Sequence, residues 1–501
     1  MNNGGQGNAM MQPQRSVSPR RCPMPADGPS ARASAGGGNG IVLTLAVAMT
    51  VSLSGCVLAP SGTRGEKEKV SQVSQSFEAP IESRQLPELP APASWSDILS
   101  RAFLANGELE AAYFEWKAAL ARIDQAAVWP NSNVAVSFGY MFSPENVKAW
   151  NRTTIGVGFD PAMNLSFPIK ARTAGEVALD AARETGEKFR AVKFDLQRKV
   201  LTEYLELALT EELVRIERDN LTLLKLVRDS AADRAQAGGP LQDLFKAMIE
   251  SETSENELAT LEAKARSMRS TLNGMLGRQA NAALSLASGL PVPRAVPADD
   301  SQLLAVGVAQ NPELAALAQQ VHGRADAVEL ARLAYLPDFS LSASITGDIS
   351  QSVGLMLMLP TRVPAIRAAI SESQDMVRSS EAMLRQTRQD RAASFVANLV
   401  LMRNAERRTQ FYGERIVPAA QQLVGSSRSA YAAGTIGFAD LIDSQRMLLA
   451  VRRMVAEARV EREQRLTELE ALAGVDVETL GAPPMAAAPL ARAPSLGRAG
   501  E

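Results

Sequence analysis

Two very long helical patterns most constrain the fold of this 501-residue chain. The first runs from about Ala171 to Gln236, and the second runs from about Pro364 to Ala433. At 1.5 Å per residue, about 66 residues of helix extend over roughly 100 Å. Because isolated helices are only marginally stable in water, helices of this length need partners along their whole extent. The chain is therefore predicted to be mainly α-helical, with coiled-coil-like packing between long helices.

Each long pattern reverses at a glycine-containing turn and continues as a second helix. The first turn reads Ala237-Gly238-Gly239-Pro240 and the second reads Ala433-Gly434-Thr435-Ile436. Glycine tolerates the left-handed backbone conformation that such turns commonly need. The returning helices close on Leu276-Gly277 and Ala473-Gly474. Two helical hairpins lie about 200 residues apart, which indicates an internal duplication.

A pair of alternating segments precedes each long helix. Residues 133–142 and 154–167 form the first pair, and residues 339–346 and 353–359 form the second. Apolar side chains alternate with small or polar ones over about nine residues, a length that suits a transmembrane β-strand. A soluble hairpin fits the same alternation. Pro161 predicts a bulge or a split strand near Asp160. Pro418 interrupts the second long helix and predicts a local kink or a missing hydrogen bond there.

The N-terminal region has the pattern of a secreted lipoprotein. The apolar run Ile41 to Leu53 has the length of a signal-peptide core, and Leu53-Ser54-Gly55-Cys56 resembles a lipobox. The resemblance implies cleavage before Cys56 and lipidation of that residue. A plain signal peptide with a chance cysteine is the alternative. Val57 is not the Asp that retains such lipoproteins in the inner membrane, so the outer membrane is the expected destination.

The chain divides into six segments on these patterns. They are a lipoprotein signal peptide (1–55), an extended N-terminal tether (56–94), a first repeat (95–278), a connector (279–300), a second repeat (301–474) and a disordered tail (475–501).

In the order and spacing of these features the chain resembles the TolC-like outer-membrane efflux family. The supporting residues include Asn311-Pro312-Glu313-Leu314, Leu272-Asn273, Leu276-Gly277, Tyr431, Gly434, and Asp440 with Asp443. The resemblance covers about residues 95–474. It implies a homotrimer in which each protomer gives four strands to one 12-stranded transmembrane β-barrel, above a hollow α-helical barrel in the periplasm. It also implies two partners, a periplasmic adaptor protein and an inner-membrane pump.

The same resemblance assigns roles to residues at the hairpin ends. Gly238, Gly239, Gly434 and Thr435 would face the adaptor. Asp440 and Asp443, three residues apart on one helix face, would form two rings of carboxylates at the periplasmic entrance, where they favour cations. The alternative for Asp440 is compensation of the helix dipole in the first turn. A basic residue expected just after the second tip is absent, and Ile436-Gly437 stand there instead.

Catalysis and cofactor binding are not indicated. His322 is the only histidine, and the sequence has no glycine-rich phosphate loop, cysteine pair or histidine cluster. A formal net charge of -2 gives no nucleic-acid footprint. The expected function is a passive exit duct for an efflux or secretion system. The alternative is a lipid-anchored periplasmic coiled coil, structural or adaptor-like, without a channel.

Overall fold

The computed structural model describes residues 56–142, 147–159, 165–287, 289–296 and 299–477. Its helices are α1 (Thr63–Phe77), α2 (Trp95–Ala105), α3 (Gly107–Ala126), α4 (Pro168–Gln236), α5 (Leu241–Met275), α6 (Asp300–Ala309), α7 (Pro312–Arg332), α8 (Val363–Phe411), α9 (Val417–Ala432) and α10 (Phe438–Ala473). Its strands are β1 (Cys56–Val57), β2 (Val128–Trp129), β3 (Val134–Tyr140), β4 (Thr153–Phe159), β5 (Asp338–Thr346) and β6 (Ser350–Met358).

The order of these elements repeats. A helix (α3 or α7) leads into a strand pair, and the pair leads into a long helical hairpin. Matching asparagines begin the two leading helices, because the Asn106 side chain accepts a hydrogen bond from Leu109 N (3.0 Å) and Asn311 accepts one from Leu314 N (2.8 Å). Asparagine is a favoured N-cap for this reason. The duplication read from the sequence is thus also present in the local hydrogen bonding.

Helix α4 is the longest element, with 69 residues. It packs against α3, α5, α7 and α10, which together bury apolar side chains along its length. The largest buried cluster includes Ile98, Tyr113, Ile123 and Leu207, each fully buried. A helix of this length is therefore stabilised by neighbours from both repeats and not by its own propensity.

The four longer strands form one antiparallel sheet in the order β3-β4-β5-β6. The central pairing joins the two repeats, with Ile155 opposite Ile345 and Val157 opposite Ala343. The bulge or split expected near Asp160 lies outside the described residues. Strand β4 ends at Phe159 before that gap, and pairing with β5 resumes beyond it at Leu165, which forms an isolated bridge to Phe339.

The interruption predicted at Pro418 is present in the second long helix. Residues Tyr412–Ile416 form a π-helical turn between α8 and α9, and Pro418 stands at the second position of α9. Proline lacks an N–H and cannot donate to the preceding turn, so the helix widens where that hydrogen bond would be. Helix α4, the counterpart in the first repeat, has no such interruption along its described length.

Part of the N-terminal segment differs from the expected extended tether. Residues 63–77 form α1, and its Val70 and Phe77 are buried in the main core beside Tyr113. The apolar residues of this segment are few but recur at helical spacing, which is enough to pack one face. The lipoprotein signal peptide (1–55) lies outside the described residues. The first repeat begins with two helices and not one, because Asn106 ends α2 and caps α3.

The connector and the start of the tail are held by buried charges. Arg294 forms ion pairs with Glu463 (3.1 Å) and Glu470 (2.9 Å), both on α10 and both buried. Val477 is buried as well, and its N–H donates to Glu470. Residues 475–477, expected to be disordered, therefore pack against α10, because Glu470 offers them a hydrogen-bond acceptor. Residues 478–501 are outside the described part of the chain.

Candidate functional site

The two hairpin tips end their first helices in the same way. Gly238 has a positive φ of 85°, and Gly239 N donates to Arg234 O (2.8 Å). Gly434 has a φ of 76°, and Thr435 N donates to Ala430 O (3.0 Å). A left-handed residue followed by a bond of this span is the Schellman motif. The prediction that both glycines adopt the left-handed conformation is confirmed.

The residue after each left-handed glycine distinguishes the tips. At Gly239 a Cβ atom would lie 2.8 Å from the Arg234 carbonyl oxygen, so the backbone approach there requires glycine. At the second tip Thr435 is accommodated, and its hydroxyl donates to Ala430 O (2.9 Å). The two tips therefore present different surfaces at equivalent positions.

Arg234 connects the first tip to the second. Its Nη1 donates to the carbonyl oxygen of Tyr431 (2.8 Å), and its guanidinium lies 4.4 Å from the centre of the Tyr431 ring. Tyr431 in turn makes an edge contact with Phe438. No basic residue follows the second tip at Ile436-Gly437, and Arg234 reaches that tip from the first hairpin, which the sequence does not predict. A long-range contact of this kind has no signature in residue spacing.

Tyr431 is the centre of this contact between tips. Its side chain is buried, and burial is the main reason that the pKa of its phenol is raised. The carboxylate of Asp243, in the first turn of α5, raises the pKa further, while Arg234 opposes the shift. The cluster thus combines an aromatic ring, a cation and an anion drawn from both repeats.

Asp440 and Asp443 lie together on the exposed side of α10. The Asp440 carboxylate accepts a hydrogen bond from Gly437 N (3.3 Å), which caps the start of the helix. Asp443 is 74% exposed and lies 3.9 Å from Arg446. Arg446 also forms an ion pair with Glu250 on α5. Asp440 therefore has a local structural role, whereas Asp443 has no capping role among the described contacts.

A groove of about 430 Å³ lies beside the second tip. It runs between the last turns of α4 and α9, and its wall is partly apolar (Leu226, Val227) and partly basic (Arg428). Arg428 is exposed at this groove.

Cys56 is described for its backbone only. It begins β1 and pairs with Trp129 of β2, directly before the strands of the sheet. The predicted lipidation position therefore pairs with β2, the short strand that comes directly before β3 in the sequence.

Two further observations concern the whole described region. No helix in the described ranges is both long enough and apolar enough to cross a membrane. Within the same ranges, no group of three or more His, Cys, Asp or Glu residues is placed to hold a metal ion.

Duplicated long hairpins joined to one small antiparallel sheet define the fold of the TolC-like outer-membrane channels. One solved structure with this fold is the open-state MtrE outer membrane channel of Neisseria gonorrhoeae. It superposes with a TM-score of 0.63 at 16% identity, over 76% of this chain and 89% of that one. Residues 307–475 match the family model described as outer membrane efflux protein. This match lies in the second repeat of the chain.

Two curated relatives are similar in sequence. The cobalt-zinc-cadmium resistance protein CzcC of Cupriavidus metallidurans is 24% identical over 388 residues, which is 73% of this chain and 86% of CzcC. The fusaric acid resistance protein FusA of Burkholderia cepacia is 26% identical over 248 residues, which is 46% of this chain and 45% of FusA. The match to FusA thus spans less than half of that protein.

Proposed function

We propose that this protein is the outer-membrane exit duct of a multi-component efflux or secretion system. The duct is passive, and it works with a periplasmic adaptor protein and an inner-membrane pump. The observation that carries the proposal is the four-stranded sheet, whose two edge strands have no pairing partner within the described chain. The match of residues 307–475 to the outer membrane efflux protein family model supports the same function.

The two faces of the sheet differ in a way that suits a membrane wall. One face carries apolar side chains such as Phe138, Val157, Leu341 and Val353, and the other carries serines and glycines at the alternating positions. Val353 and Phe138 are 75% and 73% exposed. An apolar face in contact with lipid and a small polar face toward a lumen is the pattern of transmembrane barrels.

Open sheet edges are not tolerated in lipid, because their N–H and C=O groups would have no hydrogen-bond partners. Copies of the chain can pair β6 of one with β3 of the next and close the sheet. Three copies with four strands each make a 12-stranded barrel, as the family resemblance implies. The long hairpins would then form an α-helical barrel in the periplasm, and a lipidated Cys56 would anchor each protomer to the outer membrane.

The tips are the proposed contact with the adaptor. Gly238, Gly239, Gly434 and Thr435 form the two turns, and the groove beside Arg428 offers a site for a helical segment. Asp440 and Asp443 are proposed to line the periplasmic entrance as rings of carboxylates. We propose that the pump, and not the duct, selects the cargo. The two curated relatives support this because they are named for resistance to chemically different compounds, metal ions and an organic acid.

Two adjacent residues of β6 give a matched test of the barrel. Val353→Arg places a charge on the apolar face, where an arginine in lipid costs about 2–4 kcal/mol at the bilayer midplane. Ser352→Arg places the same charge on the opposite face. We expect Val353→Arg to abolish channel formation in planar bilayers, and Ser352→Arg to form channels with altered conductance.

The opposite result, or equal behaviour of the two variants, would remove the assignment of the apolar face to lipid. A protein that forms no channel at all and remains monomeric after detergent extraction would be a lipid-anchored periplasmic coiled coil instead.

A further inference from the structure

The first two turns of α5 expose an apolar face. Leu241, Phe245, Met248 and Ile249 recur at the spacing of one helix face and are 61%, 59%, 40% and 63% exposed. Further along α5, Glu252 and Asn256 continue the exposed surface with polar side chains. A compact exposed apolar face next to a functional tip indicates an interaction surface.

The internal duplication identifies the counterpart of this face. The returning helices α5 and α10 align without a gap, because the same spacing separates Asp243 from Asp440 and the left-handed Gly277 from Gly474. On this alignment Leu241 corresponds to Phe438, and Phe245 corresponds to Ile442. The exposed face of α5 therefore has a known equivalent on α10.

The equivalent face on α10 is buried. Phe438 and Ile442 are 4% and 5% exposed, and they pack in a cluster with Leu224, Val227 and Ala231 of α4. Within one protomer, α10 of the second repeat thus packs on α4 of the first repeat. The position equivalent to Val227 on α9, counted from the tip glycines, is Leu423, which is 43% exposed.

We propose that a second copy of this chain covers the apolar face. Helix α5 of one copy packs on α9 of the next in the way that α10 packs on α4 within each copy. Phe245 then meets Leu423 of the neighbour. The inference rests on the proposed trimer and specifies its contact near the tips. Such a contact joins two different surfaces, and it closes into a ring when the rotation between copies permits.

A second pair of positions supports the same partner. Inside the protomer, Arg446 of α10 forms an ion pair with Glu250 of α5. The position equivalent to Arg446 is Ile249, and the position equivalent to Glu250 is Met447. Both are apolar, and both are exposed, at 63% and 53%. Both members of the pair have changed together, which is expected if Ile249 of one copy contacts Met447 of the next.

A third pair retains opposite charges. Arg452 of α10 lies 3.7 Å from Asp219 of α4 within the protomer. The equivalent positions are Glu255 on α5 and Arg415 in the π-helical turn, where the signs are exchanged. Glu255 also pairs with Lys225 in its own hairpin. Glu255 on one exposed face and Arg415 on the other therefore have opposite charges, as Arg452 and Asp219 do within the protomer.

The contact between copies differs from the contact inside each copy in one respect. The positions equivalent to Arg234 and Tyr431 are Ala430 and Ala235. The contact between copies consequently lacks the cation–aromatic contact and the hydrogen bond that join the tips within a protomer. Near the tips, where Phe245, Ile249, Leu423 and Met447 lie, the contact is an apolar seam, and its strength there should depend little on ionic strength.

Disulfide cross-linking tests the proposed contact. In a Cys22→Ser background, the double variant Ile249→Cys with Met447→Cys is oxidised and analysed on a denaturing, non-reducing gel. We expect dimer and trimer bands. The matched control, Glu250→Cys with Arg446→Cys, joins two helices of one protomer and should give only a monomer band. The parent without added cysteines serves as the blank.

A charge design provides a second readout that does not depend on disulfides. Ile249→Arg alone should reduce the trimer fraction measured by mass photometry in detergent at least tenfold. Adding Met447→Glu should restore it, because the double variant reproduces the Arg446–Glu250 pair between copies. Restoration should weaken as salt is raised, unlike the trimer fraction of the parent.

The outcomes separate this inference from the proposed function. If the protein is a conducting trimer but the Ile249–Met447 cysteine pair runs as a monomer, the seam is overturned and the duct remains. The same conclusion follows if Met447→Glu fails to rescue Ile249→Arg. If the cysteine pair gives oligomer bands and the bilayers record no conductance, the seam stands and the duct function fails.

Discussion

Arg234 and Tyr431 lie 197 residues apart in the chain, yet the guanidinium of one is 4.4 Å from the ring of the other. The contact joins the last turn of α4 to the last turn of α9. Since the two helices belong to different repeats, this arginine is one of the contacts that hold the two tips together within a protomer.

Replacing Arg234 should loosen the tips. Arg234→Ala removes a cation–aromatic contact and a charged hydrogen bond, together worth roughly 1–3 kcal/mol. We expect faster amide hydrogen exchange in residues 429–440 and a higher open probability in planar bilayers. Arg228→Ala is the control, because Arg228 lies on the same helix and pairs only with Asp229 among the described contacts. Equal exchange rates in the two variants would contradict the proposed connection.

The tip glycines should resist substitution. Gly434 has a left-handed backbone, in which an L-residue costs about 1–2 kcal/mol. Gly434→Leu should weaken binding of the cognate adaptor, measured by surface plasmon resonance, while the trimer persists. Gly274, an exposed helical glycine with open space around it, gives the control variant Gly274→Leu. Adaptor binding by Gly434→Leu at the parental level would argue against docking at this tip.

Asp443 allows the proposed role at the periplasmic entrance to be tested without changing the helix cap. Asp440 accepts the Gly437 N–H, so Asp440→Asn changes both the cap and the charge. Asp443 is exposed and caps nothing within the described chain, so Asp443→Asn changes mainly the charge. We expect Asp443→Asn to lower cation selectivity in bilayers, with a larger loss when Asp440→Asn is added. Unchanged reversal potentials in the double variant would leave both residues as ordinary helix-start residues.

Lipidation should depend on Cys56. Cys56→Ser should abolish incorporation of labelled fatty acid, while the trimer still forms, because acyl chains add membrane affinity and the sheet supplies the span. The strand pairing of Cys56 with Trp129 uses backbone atoms and is available to serine. Labelling that persists in the variant would remove the lipobox assignment.

Two carboxyls between α4 and α7 should make stability depend on pH. Burial raises the pKa of Asp180, an effect that Arg183 partly offsets. Burial raises the pKa of Asp326, and the negative charges of Asp180 and Glu176 add to it. Folding therefore favours the protonated forms of Asp180 and Asp326. Their contribution to the free energy of unfolding is present at low pH and is lost as pH rises from about 4 through the raised pKa values.

Asp326→Asn should remove part of that dependence. We expect the unfolding temperature of the variant to exceed that of the parent at pH 7 by more than it does at pH 4. Glu372→Gln, at an exposed position on α8, is the control. A variant whose difference from the parent is the same at both pH values would contradict the assignment.

Much of this architecture could be predicted from the sequence, because hairpins, strand alternation and left-handed glycines have local patterns. The predicted resemblance to outer-membrane efflux proteins is confirmed by the match of residues 307–475 to that family model. Helix α1 was missed because a polar, proline-flanked segment hides the spacing of Val70 and Phe77. Arg234 was missed for a different reason, since its partner is fixed by tertiary packing and not by neighbours in the chain.

The π-helical turn at Tyr412–Ile416 also bears on how the two repeats have diverged in length. A turn of this kind holds one more residue than an α-helical turn. The span from Val363 to Ala432 is accordingly one residue longer than α4, while both tips keep the same hydrogen-bonded ending. The wider turn thus lets the second long helix continue past Pro418 in one direction of the chain, and the hydrogen-bonded ending at Gly434 stays the same as the ending at Gly238.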